Sequence, residues 1–140
     1  MSNLVDNHGP DYRLSWRTRG DVLQVQVSGD IDDQRIRIAY WQEIAATSRR
    51  KGFRKLLVID RKKGQPASPD DLLELARTLL VEREHFDRVA VIEPTDAFLP
   101  AIEHAEIIGR EHGINVRVFG SMVAAELWLR LGSPDDPDIA

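Results

Sequence analysis

The side chains best suited to acid–base or metal chemistry near neutral pH are the four histidines, His8, His85, His104 and His112. His104 and His112 stand eight positions apart on one predicted helix, whereas a chelating helical pair needs a spacing of about four. Glu103, Glu106 and Glu111 are near them in sequence, and mixed acidic residues on a helix read as a solvated face. The chain has no cysteine, which removes disulfides, thiolate nucleophiles and thiolate metal sites. A serine nucleophile needs a base and an orienting acid within hydrogen-bond range, and no GxSxG elbow occurs. These residues predict no catalytic set, no metal site and no cofactor. An enzyme built on the loop from Asp60 to Ser68 remains as an alternative that fold position alone supports.

Two further groups could bind something. Arg61, Lys62 and Lys63, followed by Gly64, precede a predicted helix start. Cations there could hold a phosphate or a carboxylate. The wording lacks the GKS or GKT of a P-loop, so a solvated loop is the plainer reading. Ser68-Pro69-Asp70-Asp71 reads as the helix start itself. Ser68 is the N-cap, Pro69 takes the first helical position, and the aspartates favour the positive end of the dipole. Tyr40 and Trp41 are adjacent on another predicted helix, about 100° apart around its axis. One of them is free to face outward as an interface residue.

These groups need a scaffold, and Lys55 to Leu80 supplies its centre. Leu56, Leu57, Val58 and Ile59 are apolar in succession, which predicts a strand buried on both faces. Leu72, Leu73, Ala76, Leu79 and Leu80 then fall on one helical stripe. Before this unit, Tyr12 to Thr18 and Val22 to Val27 alternate around Arg19-Gly20-Asp21, which predicts a β-hairpin. Asp32 to Lys51 follows as a helix with Arg37, Tyr40, Trp41, Ile44, Ala45 and Ser48 on one face. Arg49, Arg50 and Lys51 fill its last turn and Gly52 ends it, a dipole-matched terminus.

After the centre come a strand at Arg88 to Ile92, a loop at 93–99, and a helix from Pro100 to His112. A strand from Asn115 to Phe119 precedes a last helix capped by Ser121. Val123, Ala124, Leu127, Trp128 and Leu131 are its expected inner face. The order β-β-α-β-α-β-α-β-α predicts an α/β fold with a mostly parallel five-stranded sheet in sequence order, the first strand antiparallel. Such a sheet lacks the strand-order reversal that makes a nucleotide crevice, and no GxGxxG is present. If helices cover mainly one face, apolar groups on the other need a partner or a ligand.

At 140 residues one domain is expected, spanning 11–132 between a flexible terminus at 1–10 and an acidic flexible tail at 133–140. The net charge of −4 gives no nucleic-acid footprint. No apolar run approaches the roughly 20 residues of a membrane span, and the first residues do not read as a signal peptide. A soluble cytoplasmic protein is the expectation.

The motifs KLLVID, RVAVIEP and VRVFGSMVAAELWL, with Val118, Phe119, Ala125, Trp128 and Leu129 in the last, resemble the STAS superfamily of anti-sigma-factor antagonists. More narrowly the chain is similar to the SpoIIAA-like proteins, which are themselves compared with the CRAL-TRIO lipid-binding fold. The resemblance covers Tyr12 to Leu131. It implies a non-catalytic regulatory or protein-interaction domain, with a regulatory protein as partner. The CRAL-TRIO comparison implies instead a lipid or small hydrophobic ligand, held by the 100–112 helix and the 93–99 loop. A homodimer is the expected answer to an uncovered sheet face. The antagonists carry a phosphorylated serine at the start of the helix after the central strand, usually within Asp-Ser-Ser-Gly. Ser68 occupies the nearest position in Ala67-Ser68-Pro69-Asp70, without the neighbouring serine and glycine. A phosphate there would meet Asp70 and Asp71, partly offset by Arg61, Lys62 and Lys63.

Overall fold

The computed structural model describes residues 5–8, 12–29, 33–61, 68–79, 85–92, 106–113 and 115–132. Its sheet runs β1 (Val5–His8), β2 (Arg13–Arg19), β3 (Val22–Ser28), β4 (Lys55–Asp60), β5 (Arg88–Ile92) and β6 (Val116–Phe119), neighbours in space as in sequence. The β1–β2 and β2–β3 pairs are antiparallel and the later pairs are parallel. The chain is thus an α/β fold with a sheet in sequence order.

The sheet has a sixth strand where the sequence suggested a loose terminus. Val5–His8 pairs with Arg13 to Trp16 through the backbone. Pairing of that kind needs only N–H and C=O groups, so it leaves little trace in side-chain patterning. At the next turn, Gly20 takes a φ of 61°, the left-handed region open to glycine, and lets β2 fold directly back into β3.

The two-sided burial of β4 organises the interior. Leu56 and Val58 join Leu14, Trp16, Leu23, Val25, Val27, Val89 and Val91 in one cluster under Ile36, Tyr40 and Ile44 of α1 (Gln34–Lys51). Leu57 and Ile59 point the other way. They join Ala90 and Ile92 under Ala125, Trp128 and Leu129 of α4 (Met122–Leu131). Helices therefore lie on both faces, so the condition under which one face would be left bare and apolar is not met. α4 covers the second face over β4 and β5. Over β2 and β3 that face carries Ser15, Arg17, Gln24 and Gln26, which alternate with the buried residues. Arg17 and Gln26 are exposed to water there, Ser15 is half-buried, and Gln24 Oε1 is buried without a hydrogen-bond partner.

α1 begins at Asp33, whose Oδ1 accepts from the Ile36 N–H at 2.9 Å. It ends where Gly52 adopts a φ of 77° and its N–H returns to the Arg49 and Ser48 carbonyls. The described helical residues before β6 are 106–111, here α3. From α3 the Glu106 carboxylate accepts the Val118 N–H at 2.8 Å. Since β6 is an edge strand, this occupies one of the groups that would otherwise recruit another strand. Among the described residues no helix is long and apolar enough to cross a membrane.

Candidate functional site

The region with the most chemistry lies at the carboxyl ends of β3 and β4, where α1 and α2 (Pro69–Leu79) both begin. The Arg61 N–H donates to the Val27 carbonyl at 2.7 Å, which ties the exit of β4 to the end of β3. Arg61 is exposed. Lys62 and Lys63, the other two cations of the candidate anion site, lie outside the described residues.

Ser68 is exposed and caps α2 in a reciprocal arrangement. Its Oγ accepts from the Asp71 N–H at 3.1 Å, and Asp71 Oδ2 accepts from the Ser68 N–H at 3.2 Å. This is a capping box with aspartate in the place usually held by Glu or Gln. From α1, the Gln34 side-chain amide donates to the Asp71 carbonyl at 2.8 Å and to Glu74 Oε1 at 2.8 Å. The two helix starts are therefore linked. Sequence patterning could not find this link, because it joins residues 37 and 40 positions apart.

The electrostatics favour a capped end over a resident anion. Asp33 satisfies α1, while Ser68 and Asp71 satisfy α2. Asp70 and Asp71 already bring negative charge to the first turn of α2. A phosphate on Ser68 would disrupt the box from within. It would stand beside the Asp71 carboxylate, whose charge opposes it.

The remaining candidates separate. Tyr40 is 1% exposed and packs edge-on against Tyr12 at 6.0 Å between centroids. It stands in the core and offers a partner no side-chain surface. Trp41 is half-buried against the same cluster. His85 Nε2 donates to the Phe53 carbonyl at 2.7 Å and His112 Nδ1 to the Ile108 carbonyl at 2.9 Å, the only polarity compatible with carbonyl acceptors. Both histidines thereby tie down local backbone. His8 lies in β1, and His104 lies outside the described residues. Among the described residues no three His, Asp or Glu side chains converge to hold a metal. Of the ligand wall expected from 93–99 and 100–112, only 106–112 is described, and there Ile108 is buried.

One ionisation is strongly perturbed. Burial, followed by a 2.6 Å hydrogen bond to Glu43 and that group's charge, pushes the Tyr12 phenol up to about 12. The pair joins β2 to α1 and is structural in character.

The last helix differs from expectation. Val123, Leu127 and Leu131, assigned to the inner face, are 69%, 42% and 64% exposed, and Ala124 is exposed too. Trp128 faces inward as expected, but its inner companions are Ala125 and Leu129, with Phe119 5.6 Å from the Trp128 ring and Arg117 stacked 5.7 Å over it. The physical reason is a second apolar stripe. Both stripes keep helical spacing, and only the one bearing Trp128 fits over β4 and β5.

Compared with protein-family models, curated proteins and solved structures, the chain matches none.

Proposed function

We propose that this chain is a non-catalytic, STAS-like regulatory domain of the cytoplasm that acts through protein–protein contact, works as a homodimer, and meets a regulatory protein as its partner. The observation that carries the reading is the placement of Ser68. It is an exposed serine at the first turn of the helix that follows the central strand, in a sheet ordered as its strands are in sequence. The STAS antagonists hold their switch serine at that place.

The departures from their motif shape the mechanism. Because the Ser68 Oγ and the Asp71 carboxylate cap each other's backbone, added phosphate would open the box and loosen the start of α2. The link through Gln34 would carry that change to the start of α1. The switch is thus local fraying of two linked helix starts, driven by like-charge repulsion.

The test compares affinity co-purification of wild type, Ser68→Ala and Ser68→Asp from the native cells. The reading expects one protein to be retained by wild type, held more weakly by Ser68→Ala, which opens the box without adding charge, and lost most completely from Ser68→Asp, whose carboxylate adds to those of Asp70 and Asp71. Identical recovery in all three would remove the switch.

A further inference from the structure

We infer that the outer face of α4 is the surface through which two copies of this chain pair, antiparallel and about a twofold axis at Leu127. The inference rests on the homodimer proposed above and names its surface. Val123, Leu127 and Leu131 recur every fourth residue and are 69%, 42% and 64% exposed. They form an aliphatic ridge on the side of α4 opposite Ala125, Trp128 and Leu129. Three exposed aliphatics in register make a continuous stripe, unlike isolated surface leucines.

Charge makes the occupant a second copy. Glu126 and Arg130 line one flank of the ridge, one turn apart. In an antiparallel pair centred on Leu127, Val123 faces the second copy's Leu131 and Leu127 faces its own equivalent. The same twofold turns the Glu126 flank of one copy toward the Glu126 flank of the other. Glu126 then lies about 3 Å along the axis from the second copy's Arg130, from the helical rise. The pair occurs twice by symmetry, so ridge and charges are both self-complementary. Arg19 holds Glu126 Oε1 at 2.7 Å from β2, which steadies the carboxylate on that flank. Three aliphatic anchors per copy make a small interface, so the dimer dissociates on dilution.

The chain contains no cysteine, so a single introduced thiol reports on this geometry without background. Leu127→Cys should form a covalent dimer with oxidised glutathione, because a twofold axis sets the residue against itself within disulfide reach. Arg49→Cys, at an exposed position on α1, should cross-link far more slowly. Native mass spectrometry across a dilution series should show a dimer in wild type. Leu127→Arg should raise its dissociation constant by about tenfold or more. Arg130→Glu should weaken the dimer, and adding Glu126→Arg together with Arg19→Glu, which keeps an opposite charge on β2, should restore it. A wild type that is monomeric throughout would overturn both this surface and the homodimer, leaving the ridge to a different protein or a membrane. A wild-type dimer whose Leu127→Cys variant does not cross-link faster than Arg49→Cys would overturn this surface alone.

Discussion

At the scale of single residues, the side chains with reactive potential mostly serve the fold. Tyr12 shows this best. Its phenol rises from 10.0 to about 12 because it is buried beside Glu43. The unfolded chain releases that proton first, so the contribution of Tyr12 is fully present below pH 10 and is lost as pH rises toward 12. Tyr12→Phe should flatten the alkaline loss of stability over that window, measured by denaturant titration at several pH values. Loss of the same slope in both proteins would contradict the assignment. Ser68→Ala should cost about 1 kcal/mol through the lost cap, detected as a lower urea midpoint with an unchanged slope. The sequence showed the cap, since Ser-Pro-Asp-Asp carries its own local chemistry. It did not show Tyr12 with Glu43, which are 31 residues apart and meet only when α1 lies on β2.

At the scale of elements, legibility followed how much of each element's environment is local. The β4 run has no polar position among Leu56, Leu57, Val58 and Ile59, and both faces proved buried. Leu57→Ala should therefore destabilise by about 2–5 kcal/mol, as Leu56→Ala does on the opposite face. A strand with one wet face would show that loss on one side only. The end of α1 was equally plain from Arg49-Arg50-Lys51-Gly52. At Gly52 a side chain would meet nothing within 4 Å, yet its φ is 77°. Gly52→Ala should thus cost roughly 1–2 kcal/mol from backbone conformation alone, and Gly52→Asn less. Equal losses would point to a steric cause instead. α4 was legible as a helix but not in its orientation, because both of its stripes are apolar and periodicity does not rank them. β1 escaped notice because four residues, VDNH, carry no alternation long enough to read.

At the scale of the whole molecule, a sheet in sequence order divides the labour between its faces. α1 closes the first face across β2 to β5, with α2 beside it. α4 closes the second over β4 and β5, and polar residues finish it over β2 and β3. The proposed switch and the proposed pairing surface fall on two regions of this arrangement. One is the linked helix starts around Ser68, and the other is the outer ridge of α4. The first was visible from residue types and a resemblance. The second emerged only when the fold fixed which side of α4 meets the sheet.

The proposed function is that of an interaction domain that pairs with itself and carries no resident small molecule. Native mass spectrometry of the protein purified from its own cells, followed by the denatured mass, tests it most directly. The expected result is a dimer at twice the polypeptide mass, with or without a phosphate that survives denaturation and maps to Ser68. A monomer carrying a discrete added mass that is lost on denaturation would contradict it and identify a ligand carrier.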